Sequence, residues 1–322
     1  MLLLRVSHRL LRQAYEFLPS EPPIVTLNQL RTFLAVAETG SVRAAAEELV
    51  VTQAAVSASL GALQKSLALQ LLRPDGRGLR LTKAGEEYAR YIRRGLGLLD
   101  EAHRAAASAA DPERGDLRIA AVTTAAEQIV PGLLSGFRRL YPNIGVLLEA
   151  GNRERVGALL DHHQVDLVLG GRPEPGWDVQ VHAVRAHQLV VVASPELAAG
   201  AAADLLPWLS RQTWLLREEG SGTRTTTEAL LADLGLAPLT LTVGSNGAIR
   251  ESASVGLGVT LVSRDAAAAE LAAGRLAELE VPGTPLHRDW YLVAHPGELP
   301  ATAAKLVAHM LRDGGFHRPE LG

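Results

Sequence analysis

Between Leu215 and Leu231 the chain reads LLREEGSGTRTTTEALL, with two glycines, a cluster of hydroxyl residues and an arginine placed directly before an amphipathic helical pattern. Free backbone N–H groups at a helix start and the helix dipole favour a bound anion, and short hydroxyl side chains add donors. An arginine contributes a full charge and a planar fork. Three uses fit such a stretch: holding a phosphate for chemistry, holding an anion as a signal, or only starting a helix. Ser221, Gly222, Thr223 and Arg224 are its candidate ligand contacts. The design recurs, because Thr123-Thr124 follow the apolar run LRIAAV, Gly151-Asn152 follow IGVLLE, and Gly244-Ser245-Asn246 follow LTLTV, each ahead of a helical pattern. Loops that leave the carboxyl ends of strands and open helices are where α/β sheets bind ligands. Thr123, Thr124, Asn152, Ser245 and Asn246 therefore join the candidate set. A Ser/Thr/Gly helix start is common as a plain cap, but several in one segment favour an anion cradle.

The residues that would turn such a cradle to catalysis are not in place. GSGT is not the eight-residue phosphate loop with its lysine, no G-x-S-x-G elbow occurs, and Gly256-x-Gly258 alone is a weak dinucleotide signal. Glu218 and Glu219 are sequence neighbours, which rarely face a shared substrate as acid and base. His162 and His163 lie about 100° apart on a helix and do not easily converge on one metal. Cysteine is absent from all 322 residues, so disulfides, thiolate zinc sites and cysteine nucleophiles are excluded, and nothing hints at an oxidising compartment. No catalytic residue, metal or cofactor is assigned, and the expected ligand is a small anionic metabolite. A metabolic enzyme using the Gly220–Thr223 loop on a phosphorylated substrate is one alternative. A solute-binding protein without regulatory role is another.

These loops need a frame. After residue 115, apolar runs suited to buried strands (117–122, 144–149, 165–170, 188–193, 213–216, 239–243, 258–263 and 290–294) alternate with helical patterns, which predicts an α/β sheet, either one large sheet or two small lobes. Ahead of it, residues 27–110 are almost wholly helical in pattern, and Asp111-Pro112 with Gly115 marks a hinge over 111–115. Residues 1–26 form a leader of unassigned role. Its apolar start is interrupted by Arg5, His8 and Arg9 too early for a signal peptide or a membrane span, so a cytoplasmic protein with no membrane partner is expected. Formal charge is −3 overall, but residues 27–110 hold 11 basic against 8 acidic residues while 115–322 hold 17 against 23. The basic part comes first, which suits a partner with a phosphate backbone there.

Residues 41–67 supply the reader of such a partner. Ser41 can cap a helix carrying Ala45, Ala46 and Leu49, and Thr52 can cap a second whose Val56, Leu60 and Leu63 make one apolar face. The other face, with Gln53, Ala54 and Ser57, is neither charged nor greasy. That suits a recognition helix of a helix-turn-helix, where Gln53 can pair with adenine and Ser57 with a base edge or a phosphate. An earlier helix buries Leu27, Leu30, Phe33, Leu34 and Ala37. A β-hairpin turning near Asp75-Gly76 offers Arg73, Arg77 and Arg80 to phosphates. From Thr82 a long helix runs to 110, with Tyr88, Ile92, Leu96, Leu99 and His103 along a narrow seam of the kind that pairs helices. Gly95 and Gly97 each cost it about 1 kcal/mol relative to alanine, so packing must hold it.

Leu30 and Phe33 with Ala35-Val36-Ala37-Glu38, then Gly40-Ser41, Ala45-Ala46-Glu47 and Leu49, Thr52-Gln53, Ala55-Val56-Ser57, Leu63, Leu67, Arg73, Leu81-Thr82 and Ala84-Gly85 resemble the winged helix-turn-helix of LysR-type transcriptional regulators. The pattern departs from the family at Val42, Ala54, Ala58, Gln64 and Ala68, where phenylalanine, proline, a basic residue, glutamate and glycine are usual. The resemblance implies a winged helix-turn-helix over 27–82, a linker and dimerisation helix over 83–110, and a two-lobed α/β effector domain like periplasmic solute-binding proteins. Its first lobe would comprise 115–188 and 284–322, its second 189–283. It also implies a dimer or tetramer on a dyad-symmetric double-stranded DNA operator. Residues 216–224 and 244–263 most resemble the branch that regulates carbon fixation and sulfur assimilation, with Glu219 where that branch usually reads proline.

Overall fold

The computed structural model describes residues 24–76, 78–201 and 204–319. Most of the leader and Arg77 lie outside them. The chain divides into two compact units, with the boundary along the chain between Leu96 and Gly97.

The first unit is built from α1 (Leu27–Thr39), α2 (Val42–Glu48), α3 (Gln53–Leu67), the hairpin β1 (Leu72–Asp75) and β2 (Gly78–Leu81), and the start of α4 (Lys83–Ala110). Each helix begins on a side-chain cap. Thr26 and Gln29 form a reciprocal capping box on α1, Ser41 Oγ accepts from the N–H of Ala44, and Thr52 Oγ1 accepts from that of Ala55. Phe33, Val36, Ala45, Ala46, Val56, Leu60 and Leu63 make the core, closed by Leu71 and Leu72 of the wing. Leu27 is 48 % exposed, contrary to the sequence expectation, because the buried face of α1 runs through Thr32, Phe33, Ala35 and Val36.

The second unit holds a seven-stranded sheet in the order β10-β6-β11-β5-β3-β4, with β9 also paired to β6. Its strands are β3 (Gly115–Val122), β4 (Ile144–Gly151), β5 (Leu167–Gly170), β6 (Gln180–Ala193), β9 (Thr260–Ser263), β10 (Ala277–Leu279) and β11 (Leu286–Ala294). A separate parallel pair joins β7 (Trp214–Leu216) to β8 (Thr240–Thr242). Parallel β3, β4 and β5 are buried by α5 (Thr123–Gln128), α6 (Val130–Leu140), α7 (Arg153–Asp161) and α13 (Ala301–Asp313). Leu117, Ile119, Leu167 and Leu169 meet Phe137, Leu306 and Met310 on one face, while Val168 and Val293 meet Val156 and Leu160 on the other. A second pair of cores surrounds the far end of β6. Leu189 and Val191 pack with Trp208, Trp214 and Leu230, and Val190 and Val192 with Leu215 and Ile249.

Strand β6 therefore passes from one lobe to the other, giving Ala183 to the first core and Leu189 to the second. Strand β11 returns antiparallel beside it, from Leu286 opposite Leu189 to Tyr291 opposite Gly170 of β5. Elements α8 (Pro195–Ala198), α9 (Leu205–Arg211), α10 (Gly222–Asp233), α11 (Asn246–Ser254) and α12 (Arg264–Ala272) clothe the second lobe. The segment at 111–115 is a short turn rather than a loose tether, since Lys305 Nζ reaches both Pro112 O at 2.5 Å and Glu113 Oε1 at 2.6 Å.

Candidate functional site

On the first unit, burial of Val56, Leu60 and Leu63 turns the other side of α3 outward, leaving Gln53, Ala54 and Ser57 exposed on its first turns. Ser41 and Thr52 spend their hydroxyls on helix caps, so what they present outward is the start of α2 and of α3. In the wing, Arg73 lies directly opposite Arg80, both exposed and neither paired with a carboxylate among the described residues. Like charges opposite each other on antiparallel strands are unfavourable, and a phosphate backbone would relieve them.

The seam expected along α4 is split between two duties. Tyr88 packs on Phe33 with ring centres 5.6 Å apart, inside the core of the first unit. Ile92 and Leu96 are half-buried, Leu99 is 52 % exposed and His103 is exposed. The outward apolar stripe runs instead through Tyr91, Leu98 and Leu99.

In the second unit a cleft of about 610 Å³, counting its open mouth, lies over the paired crossing strands β6 and β11. Thr123, Thr124, Asn152, Ser221, Gly222 and Thr223 line it, as do Arg153, His187, Arg217, Ser263, Arg288 and Trp290. Gly220 (φ +77°) supplies the turn that leads from β7 into α10. Ser221 sits at the N-cap of α10 and is 6 % exposed, yet its side chain makes no capping bond, which leaves the hydroxyl to the cleft. The lobes are bridged around it. Asn152 Nδ2 donates to Glu219 O at 3.3 Å, and Asn246 Nδ2 donates to Thr124 Oγ1 at 2.9 Å. The side chain of Glu219 is exposed and does not line the cleft.

Three sequence-predicted contacts stand elsewhere. Arg224 turns away from the cleft: its Nε pairs with Glu228 at 2.8 Å and its Nη1 donates to Arg217 O at 3.1 Å, because one turn into α10 the side chain points outward along the helix. Ser245 caps α11 through the N–H of Ala248 and is exposed. Asn246 borders a smaller adjoining pocket with Thr124, Arg217 and Thr223.

The charge in the cleft comes from three other arginines. Arg217 is 5 % exposed and held by Glu218 through two bonds of 2.8 and 2.9 Å. Arg153 pairs with Glu174 at 3.0 Å. Arg288 on β11 donates to Thr226 Oγ1 and has no carboxylate partner among the described residues. Burial, then the nearby guanidinium of Arg153, push its pKa below the ordinary arginine value. None of the described residues lining the cleft is acidic. Burial, then Arg288, likewise lower His187 to about 4, so the ring is neutral near pH 7. Sequence reasoning missed Arg288 and His187 because strands β6 and β11 both begin well before their apolar runs, and only cross-strand register sets the two residues side by side.

Comparison with known proteins agrees with this division of labour. Residues 27–86 match the bacterial regulatory helix-turn-helix protein family of lysR type, and residues 110–315 match the LysR substrate binding domain. The chain belongs to this family. It is a LysR-type DNA-binding transcriptional regulator with an effector-binding domain. The RuBisCO operon transcriptional regulator of Allochromatium vinosum is 37% identical over 285 residues, 87% of this chain and 93% of that protein. The HTH-type transcriptional regulator CfxR of Cupriavidus necator is 36% identical over 273 residues, 84% of this chain and 86% of that one. Among solved structures, full-length CbnR complexed with its target DNA superposes with a TM-score of 0.63 at 22% identity, over 89% of this chain and 99% of CbnR. The Synechocystis PCC6803 CcmR regulatory domain in complex with 2-PG gives 0.54 at 27% identity, over 61% of this chain and 95% of that domain. No helix among the described residues is long and apolar enough to cross a membrane.

Proposed function

We propose that this regulator reads a dyad-symmetric operator with the exposed face of α3, assembles through α4, and answers to a small oxyanion held in the cleft of the second unit. The observation that carries the ligand's charge is Arg288, a half-buried guanidinium with no carboxylate partner, beside Arg153, in a cleft whose described lining has no acid. A desolvated cation in that position calls for an anion. The start of α10, with Ser221, Gly222 and Thr223, supplies donors of the kind that hold phosphate. The CcmR domain, similar in fold, is a regulator's domain solved with 2-PG, and the relative from Allochromatium vinosum, named for the RuBisCO operon, points to genes of carbon fixation as the regulated class.

Ligand and operator are linked by population shift: an anion that closes the lobes on Arg288 favours one arrangement of the dimer, and only that differential changes DNA binding. Titrating the full-length protein with phosphate monoesters by calorimetry tests the reading. Arg288→Met should weaken binding at least about tenfold, in keeping with loss of a charged hydrogen-bonding partner, while operator affinity without ligand stays the same. Unchanged ligand affinity in that variant would remove the anion from the cleft.

A further inference from the structure

Three buried polar atoms with no hydrogen-bond partner lie among the residues of this one cleft: Ser263 Oγ, His187 Nδ1 and Trp290 Nε1. They come from three adjacent strands and share one sheet face. Ser263 of β9 is in register with Leu189 of β6, and His187, two residues back on β6, is in register with Arg288, two residues before Trp290 on β11. Ser263 and Trp290 are each 5 % exposed. The rings of His187 and Trp290 stack with centres 4.1 Å apart at 10°, which fixes where their edges point. A buried polar group that nothing ever meets forfeits its hydration without return, so a cluster of three beside a cavity needs an explanation. Ser263 sharpens the point. It stands at the N-cap of α12, where a serine hydroxyl ordinarily accepts a backbone N–H, and its side chain makes no such bond.

The three groups carry no formal charge, since burial and the neighbouring Arg288 keep the imidazole neutral. The indole N–H only donates, whereas a serine hydroxyl donates and accepts and a neutral imidazole has one nitrogen for each role. A ligand hydroxyl matches that mixture because it too does both. A carboxylate only accepts, and it would lose its hydration on an uncharged floor.

We propose that Ser263, His187 and Trp290 form a hydroxyl-reading subsite, so that the effector is a phosphorylated polyol or sugar whose anionic end meets Arg288 and the start of α10. This rests on the oxyanion reading above. It adds that the cleft distinguishes what the phosphate is attached to.

Calorimetry on the full-length protein with three probes separates the two claims: n-propyl phosphate, glycerol 3-phosphate and phosphoglycolate carry the same charged group with no hydroxyl, two hydroxyls and a carboxylate. Glycerol 3-phosphate should bind about tenfold tighter than the other two, as one or two extra hydrogen bonds provide. In Ser263→Ala that advantage should shrink to about threefold or less while affinity for n-propyl phosphate is kept, and Arg288→Met should weaken all three. Equal affinities that Ser263→Ala leaves alone would overturn the hydroxyl subsite and leave the oxyanion reading standing. Tightest binding of phosphoglycolate, lost in Ser263→Ala, would overturn it in favour of a carboxylate floor. Failure of every probe to bind, or indifference to Arg288→Met, would overturn both. Thermal unfolding of Ser263→Ala controls for folding, since its hydroxyl caps nothing.

Discussion

A Cβ placed on Gly97 would lie 1.8 Å from the carbonyl oxygen of His162. The second half of α4 is thus pressed against the turn that follows α7, and the contact continues along the helix. Glu101 meets His163 Nδ1 at 2.5 Å, and Arg104 meets Asp166 at 3.2 Å, whose other oxygen accepts the N–H of Arg118 on β3. Arg118 lies five residues before Thr123, so the strand that contacts the helix through Asp166 is the one that delivers Val122, Thr123 and Thr124 to the cleft. Gly97→Ala should therefore destabilise the second unit by about 1–3 kcal/mol, the usual cost of overpacking. Gly95→Ala, where nothing lies within 4 Å, should gain up to about 1 kcal/mol of helix propensity. Thermal unfolding of the two variants checks the contrast, and equal effects would show that the close approach does not hold.

Those two glycines also show what the sequence could and could not convey. Their cost to a helix is readable from composition, but that one is obligatory and the other free depends on His162, 65 positions away. The same holds at the cleft. Thr123, Asn152, Ser221 and Thr223 were legible because a strand, a small polar loop and a helix follow one another locally. Arg288, His187 and Ser263 were not, because they meet only through the register of β11, β6 and β9. Arg224 misled for a related reason: its place after GSGT is local, but the direction of its side chain is set by Glu228 and the carbonyl of Arg217.

Ala68 closes α3 in the left-handed region, at φ +51°, where the family resemblance calls for glycine. A residue with a Cβ pays about 1–2 kcal/mol there, partly offset by the greater freedom glycine loses on folding. Ala68→Gly should raise the stability of the first unit by about 0.5–1 kcal/mol. Chemical denaturation of the full-length protein, read as the first unit unfolds, measures it.

Gln53, exposed on the first turn of α3, is the strongest candidate for reading a base. Gln53→Ala should lower the preference for operator over random DNA by about 1–3 kcal/mol. Arg73→Ala and Arg80→Ala should instead weaken both DNAs alike and flatten the salt dependence. Fluorescence anisotropy at two salt concentrations separates them, and an equal loss on both DNAs for Gln53→Ala would reassign it to the backbone.

The exposed stripe of α4 predicts its own outcome. Leu98 and Leu99 are each 52 % exposed and Tyr91 59 %, an apolar run that solvent alone does not favour. Leu98→Lys with Leu99→Lys should shift the protein toward monomer in sedimentation velocity while leaving its melting temperature nearly unchanged. An oligomer untouched by the pair would place the self-contact elsewhere.

His187 gives the cleft a pH dependence whose sign follows from its neighbours. Its pKa is pushed from 6.5 to about 4, first by burial and then by Arg288, with Asp265 and Asp289 pulling weakly the other way. The unfolded chain therefore binds a proton near pH 6.5 that the folded chain refuses until about pH 4. Stability from this residue is complete above pH 6.5 and is lost as the pH falls toward 4. His182, also lowered by burial, adds a loss of the same sign. His187→Gln should consequently flatten the fall in melting temperature between pH 6.5 and 4.5 relative to the parent protein. Parallel melting curves for parent and variant across that range would mean that the imidazole is already in contact with water.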